Sequence, residues 1–203
     1  MISIIDYNVG NLQSVEAAFA RLGMETTITR DPAIIKKSNA IVLPGVGAFP
    51  IAMKNLQEFG LVELLQAEAA SGKPFLGICL GMQVLFDEGT ENGKTQGLGL
   101  LTGTVDPIRT DEKLPHMGWN QLKFNQPNHS LLSKITEGDE AYFVHSYQAN
   151  CPSDELIATT TYGNMTIPAI VGRDNVLGCQ FHPEKSGEVG HKILTAFKEI
   201  IEK

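Results

Sequence analysis

Phe75-Leu76-Gly77-Ile78-Cys79-Leu80-Gly81-Met82-Gln83-Val84-Leu85-Phe86 is the stretch on which the reading of this chain turns. Residues 75–79 form a short apolar run with strand character, and residues 80–86 follow at once with a helical pattern. A cysteine stands at the junction, with glycine two residues before it and two after. This is the cysteine form of the Gly-x-Ser-x-Gly nucleophile elbow, in which a sharp strand-to-helix turn holds the nucleophile in a strained backbone conformation. Side chains two residues to either side would collide where neighbouring turns come close, so glycine is required there. The start of a helix also favours a thiolate. A buried core thiol is the common fate of an arbitrary cysteine. The two glycines and the strand–helix context favour the nucleophile for Cys79. Cys151, before a proline in a loop, and Cys179, within an apolar run over 177–181, lack that context and read as packing residues.

Working outward, the chain before the elbow alternates strand and helix. Residues 2–5 read as a buried strand. Residues 8–22 carry Leu12, Val15, Phe19 and Leu22 at helical spacing, with Gly23 as the stop. Residues 26–29 are β-branched and strand-like. Asp31-Pro32 reads as the N-cap and first-turn proline of a short helix. A third strand covers 40–43 and is stopped by Pro44-Gly45, and helical patterns return over 48–59 and 61–70. That rhythm predicts a parallel sheet with helices on both faces. After the elbow the chain changes character. Short strand candidates at 105–109, 119–124, 140–145, 157–162, 169–173 and 176–181 are separated by turn clusters such as Asn125-Gln126-Pro127-Asn128, so antiparallel pairing is expected. A last helix over 188–203 puts Val189, Ile193, Phe197, Ile200 and Ile201 on one face. With no repeat, low-complexity tract or linker, residues 1–203 read as a single α/β domain. Its expected core is a mixed, mostly parallel central sheet flanked by helices, with antiparallel strands in the second half.

Composition narrows the function classes. Among 203 residues, 16 are basic and 23 acidic, a formal charge of -7. That argues against nucleic acid as the main partner, because such binding rests on a basic patch. Apolar residues make up 42%, enough to bury a core, so disorder is excluded. The longest uncharged stretch, 38–53, contains Pro44, Gly45, Gly47 and Pro50 and does not read as a membrane span. The first residues lack a basic n-region, so no secretory signal is expected. Three widely spaced cysteines make neither a disulfide framework nor a zinc site, which points to the reducing cytoplasm.

Near the end stands Phe181-His182-Pro183-Glu184. In an extended segment residues i and i+2 face the same way, so His182 and Glu184 can share a face. A carboxylate beside an imidazole fixes its tautomer and supports its charged form. Cys79, His182 and Glu184 then make a nucleophile, a base and an orienting acid. The chain order differs from that of the α/β-hydrolases, which place the acid before the histidine. The alternative is a structural histidine at a strand end beside an exposed glutamate. His116 and His145 are candidates to line a site, and His129 and His191 read as surface residues. No set has metal-ligand spacing, so neither metal nor other cofactor is expected.

At this point the residues resemble a known family. Gly77-Ile78-Cys79-Leu80-Gly81-Met82-Gln83 with Phe181-His182-Pro183-Glu184 is similar to the class I (triad) glutamine amidotransferases, whose fold is flavodoxin-like. Asp6-Tyr7-Asn8-Val9-Gly10-Asn11, Pro44-Gly45-Val46-Gly47-Ala48-Phe49, Pro115-His116-Met117-Gly118-Trp119-Asn120 and Tyr142-Phe143-Val144-His145-Ser146-Tyr147 extend the resemblance over essentially the whole chain. They match the branch of that family that supplies ammonia to a TIM-barrel cyclase in histidine synthesis. Branches serving anthranilate, aminodeoxychorismate or GMP usually have Gly-His-Gln after the cysteine, where this chain has Gly81-Met82-Gln83. The resemblance implies hydrolysis of glutamine to glutamate and ammonia through a thioester on Cys79, within a heterodimer. The cyclase then makes imidazole glycerol phosphate and an aminoimidazole carboxamide ribotide.

The resemblance also implies roles for further residues. Backbone N–H groups of Leu80 and of Val46, in the loop after the third strand, would form the oxyanion hole. Pro44-Gly45-Val46-Gly47 is loose enough for the Gly45–Val46 peptide to flip its N–H toward the oxyanion only when the partner is loaded. One missing donor is worth about 2.7–4 kcal/mol. The bland reading of the same residues is a strand-stopping turn. Gly47, Gln83, Glu91, Ser146 and Tyr147 would grip the ends of glutamine. Gln83 lies one helical turn beyond Cys79, and its bland reading is a surface glutamine. Residues 115–120 would face the partner, with Trp119 as an anchor, although a lone tryptophan is more often part of a core. Two other readings stand beside this one: a free-standing cysteine hydrolase of the same fold, and a non-catalytic binding module.

Overall fold

The computed structural model describes residues 1–203. Its first half follows the expected rhythm: β1 (Ile2–Ile5), α1 (Leu12–Ala20), β2 (Thr26–Thr29), α2 (Pro32–Lys37), β3 (Ala40–Gly45), α3 (Phe49–Glu58), α4 (Val62–Ala70), β4 (Phe75–Cys79) and α5 (Leu80–Gln83). Asp31 caps α2, its side chain accepting from the Ala33 N–H at 2.8 Å. The second half is built from short strands: β5 (Glu88–Gly89), β6 (Thr95–Gln96), β7 (Thr104–Pro107), β8 (His116–Gln121), β9 (Lys123–Phe124), β10 (Glu140–His145), β11 (Tyr147–Asn150), β12 (Leu156–Tyr162), β13 (Met165–Arg173) and β14 (Val176–Cys179). Helix α6 (Gly187–Ile201) closes the chain.

The main sheet has eight strands in the order β2-β1-β3-β4-β14-β13-β12-β9. From β2 to β14 every pairing is parallel, and from β14 to β9 every pairing is antiparallel. The mixed, largely parallel sheet expected from the sequence is therefore present. Alternation along β1 and β3 divides the core. Ile2, Ile4 and Val42 pack with Val15 and Phe19 of α1 and Ile193 and Phe197 of α6. Ile5, Ile41 and Leu43 pack on the opposite face with Phe49 and Leu56 of α3 and Leu65 of α4. A β8–β10 ribbon and a four-stranded sheet, β11-β7-β5-β6, lie beside the main sheet.

Several elements differ from expectation, α1 starting at Leu12 rather than 8 and β13 at Met165 rather than 169 among them, and four differences have physical reasons. First, β3 does not stop at Pro44-Gly45; it runs on to pair Gly45 with Cys79 of β4. The β1 ladder on its other side ends at Val42, so the missing Pro44 N–H deprives no partner. Second, α5 ends at Gln83 rather than Phe86, because the carbonyls of Val84, Leu85 and Phe86 accept from Leu98, Leu100 and Gly99. Third, the candidate at 119–124 is two strands, β8 and β9. Fourth, β5, β6 and β11 are too short or too polar to have given a strand signal.

Candidate active site

The elbow is built as its glycines require. Cys79 adopts φ 55 and ψ -112, a conformation non-glycine residues rarely hold. A Cβ on Gly77 would come within 2.7 Å of the Met82 backbone, so the turn itself excludes a side chain there. A Cβ on Gly81 would fall on the Leu43 carbonyl oxygen. Contact with the neighbouring strand β3, not the turn, therefore excludes a side chain at Gly81. The thiol ends at the carboxyl edge of β3 and β4, where open α/β sheets place their ligands.

His182 and Glu184 come together differently from the way strand alternation suggested. β14 ends at Cys179, and His182 is an extended residue (φ -98, ψ 97) leading into a 3₁₀ turn, Pro183–Lys185. The turn swings Glu184 back, so that His182 Nδ1–H donates to Glu184 Oε1 at 2.7 Å with both side chains buried. His182 is anchored at its backbone as well. Its N–H donates to the Tyr142 carbonyl at 3.0 Å, and its carbonyl accepts from the Ser186 hydroxyl at 2.7 Å. Its Nε2 is buried without a hydrogen-bond partner, and the ring lines one cavity with Cys79. Burial works against a charged imidazole, but Cys79 and Glu184 outweigh it and lift the His182 pKa to about 9. Glu184 stands behind the ring, outside the cavity lining.

That cavity, of about 380 Å³, brings together Val46, Gly47, Cys79, Leu80, Gln83, Glu91, Ser146, Tyr147 and His182. These are the residues singled out in the sequence, drawn from five separate segments. Gln83 is buried rather than on the surface. Its amide donates to the Tyr147 carbonyl at 3.1 Å and to Gln180 Oε1 at 3.0 Å. Glu91 accepts from the Phe49 N–H at 2.9 Å, at the start of α3 where Ala48 has no capping side chain. Trp119 is 52% exposed and Met117 60% exposed, so Trp119 is not a core residue.

Several residues escaped the sequence reading. Gln180, fully buried, places its Nε2 3.9 Å from the Cys79 sulfur. Its signal was present: a lone polar side chain inside an apolar run, two residues before His182. Val144 offers its carbonyl to the thiol at 3.9 Å. Tyr7, also fully buried, donates its hydroxyl to the Pro44 carbonyl at 2.7 Å and so holds the start of the Pro44–Gly47 loop. His145 lines the cavity, as its position suggested, and His116 stands behind it, Nδ1 to Nε2 at 2.9 Å.

Comparison with known proteins gives a consistent result. The Glutamine amidotransferase class-I family matches residues 3–200. The imidazole glycerol phosphate synthase subunit HisH of Lactococcus lactis subsp. lactis is 64% identical over 200 residues, covering 98% of this chain and 98% of its own. The subunit of the same name from Exiguobacterium sibiricum is 51% identical over 199 residues, covering 98% and 95%. Among solved structures, a crystal structure of glutamine amidotransferase shares the fold with a TM-score of 0.78 at 19% identity, over 100% of this chain and 99% of that one.

Proposed function

The chain belongs to the class I glutamine amidotransferases, and we propose that it is the glutaminase subunit of an imidazole glycerol phosphate synthase. It hydrolyses glutamine to glutamate and ammonia, and the ammonia goes to a TIM-barrel cyclase subunit of a heterodimer in histidine synthesis. The observation that carries the reading is one cavity lined by a strained Cys79 and a buried His182, with Glu184 bonded behind the imidazole. The family match over nearly the whole chain supports treating residues 1–203 as one domain.

In this reading the Cys79 thiolate attacks the side-chain amide carbon of glutamine. His182, charged at neutral pH, gives its proton to the departing ammonia. Water then cleaves the thioester with His182 as base, and Glu184 keeps the ring in one tautomer and orientation. The tetrahedral oxyanion needs backbone donors from Leu80 and Val46, both of which line the cavity with Cys79. Gly47, Gln83, Glu91, Ser146 and Tyr147 hold the α-amino and α-carboxylate ends of the substrate.

The Gly45–Val46 peptide is the one free to flip. Tyr7 ties down the carbonyl of Pro44, one peptide earlier. Gly47, at the far end of the loop, has φ 118, which only glycine adopts readily, and a Cβ there would meet nothing within 4 Å. Residues 115–120 face the cyclase, with Met117 and Trp119, two residues apart on β8 and both exposed, as the docking side chains. No helix is long and apolar enough to cross a membrane.

A γ-glutamyl affinity label tests the reading against its rivals. Stoichiometric labelling at Cys79, abolished by Cys79→Ser, is expected. Absence of labelling would leave a binding module that has kept the fold.

A further inference from the structure

Beside the triad, a line of hydrogen bonds runs from the cavity wall to the nucleophile. It starts at the Tyr147 carbonyl, which accepts from Gln83 Nε2 at 3.1 Å. The same amide nitrogen donates to Gln180 Oε1 at 3.0 Å. Gln180 Nε2 then stands 3.9 Å from the Cys79 sulfur. Both glutamine side chains are buried. Gln180 follows β14 directly, two residues before His182, and its backbone N–H donates to the Ala169 carbonyl of β13 at 2.9 Å.

The direction of this line is fixed at its start. A carbonyl only accepts, so the nitrogen of the Gln83 amide, not its oxygen, faces Tyr147. That nitrogen has two N–H groups, and the second needs an acceptor, so the oxygen of Gln180 must meet it. Turning the Gln180 amide over would set N–H against N–H there and leave a buried oxygen facing the sulfur. Gln180 therefore presents an N–H to Cys79. The other polar neighbour of the sulfur is opposite in character. The Val144 carbonyl, at 3.9 Å, accepts from the thiol and offers nothing to a thiolate. The sulfur thus has a partner in each of its protonation states. Cys79 is only 6% exposed, and a buried anion without a donor is costly.

We propose that Gln180 is a donor to the Cys79 thiolate, oriented by Gln83 and the Tyr147 carbonyl. His182 supplies charge to the thiolate, and Gln180 supplies a neutral N–H that no change of pH removes. The charged and titratable groups facing the sulfur are His182, with Glu184 behind it, and His145, Glu91 and Tyr147, which share its cavity. Tyr7 stands close enough to feel the thiolate charge. This role rests on the amidotransferase reading, in which Cys79 is the nucleophile.

Alkylation of the full chain by iodoacetamide, mapped to Cys79 by peptide mass spectrometry, reads the thiolate as the pH is varied. The variant Gln180→Met keeps an unbranched side chain of similar length and removes the N–H. On the acid limb, where the rate follows the thiolate fraction, the variant is expected to react about tenfold more slowly than wild type, the worth of one hydrogen bond to a charged group. The two profiles are expected to meet on the alkaline plateau. Equal rates at every pH would overturn the role. A loss that persists on the plateau would overturn it too, because that marks a displaced sulfur rather than a missing donor. The wild-type chain gives a check independent of the variant's folding. The side-chain amide resonances of Gln180 are expected to shift in step with the thiolate absorbance of Cys79, and to lose that shift in Cys79→Ser. Resonances that ignore the thiolate would overturn the role. A wild-type Cys79 that takes up neither iodoacetamide nor the γ-glutamyl label would overturn the amidotransferase reading, and this role with it. Wild-type labelling with equal rates in the variant would overturn the role alone.

Discussion

At the scale of single residues, the proposed chemistry rests on the protonation of His182. The imidazolium must be present to protonate the departing ammonia, and its pKa is lifted to about 9. Turnover in the complex is therefore expected to fall on an alkaline limb near pH 9. Glu184→Gln keeps the geometry of the 2.7 Å contact but removes the charge, so the limb is expected to move toward the ordinary histidine value of about 6.5. A pH–rate profile of the two proteins checks this, and an unmoved limb would assign it to another group. The oxyanion loop needs a paired variant. A Cβ on Gly45 would strike the Tyr7 hydroxyl, so Gly45→Ala alone mixes a steric clash with a loss of peptide freedom. In a Tyr7→Phe background the hydroxyl is gone, leaving Gly81 N and Leu80 Cβ at 3.1 Å to give by a few tenths of an ångström, so the basal turnover of the double variant is measured alongside as the control for a shifted elbow. The double variant is expected to lose most of the stimulation by the loaded partner, about 10²-fold if one oxyanion donor is at stake, while Tyr7→Phe alone retains it. Stimulation preserved in the double variant would remove the flip from the account.

At the scale of elements, two contacts position the site from outside it. Helix α6 approaches the His182–Glu184 turn so closely that a Cβ on Gly190 would fall on the Pro183 carbonyl oxygen. Gly190→Ala is expected to push the turn away and cut glutamine turnover in the complex well below wild type, with Cys79 still present; unchanged kcat would show that the turn tolerates the shift. Glu155 is a buried carboxylate that accepts from the Thr102 N–H at 2.8 Å and from Arg173 at 2.8 Å, tying the loop between β6 and β7 to the start of β12 and the end of β13. Removing Glu155 leaves the Thr102 N–H and hydroxyl without their acceptor, while the half-exposed Arg173 can turn to water, so Glu155→Ala is expected to cost about 1–3 kcal/mol in urea unfolding. The elements themselves were largely legible in the sequence. β1, β2, α2, β4 and β10 stand where their patterns put them, because each is a clean run with a cap or breaker at its end. What was not legible depended on long-range pairing. Pro44-Gly45 reads locally as a stop and is kept in β3 by β4, and α5 is cut short by residues 98–101, which no local pattern announces. At the site, the elbow and the His182–Glu184 pair were visible because sterics and spacing are local. Tyr7 and the His116–His145 contact were not, because they act across segments far apart in the chain, and Gln180 showed only as a lone polar side chain in an apolar run.

For the whole molecule, histidines set the pH dependence of stability in two opposite ways. Burial lowers the pKa of His116, His129 and His145, so below about 6.5 the unfolded chain binds protons that the folded one refuses. Stability from these groups falls as the pH drops. His182 works the other way. Its folded pKa of about 9 exceeds its ordinary 6.5, so its contribution is complete below 6.5 and is lost as the pH rises to 9. Melting temperatures are therefore expected to decline on both sides of neutrality, and His182→Gln is expected to flatten the alkaline side alone. A His182→Gln profile identical to wild type between pH 7 and 9 would contradict the assignment.

In the complex, the proposed enzyme is a nucleophile, a base and a substrate cavity whose oxyanion hole is completed by a partner. Its most direct test is glutamate release from glutamine by the chain alone and by the chain with a cyclase subunit and its ribotide. Near-silence is expected alone, and turnover about 10²–10³-fold higher in the loaded complex, the worth of one oxyanion donor. Equal turnover in the two conditions would contradict it and leave a free-standing glutaminase.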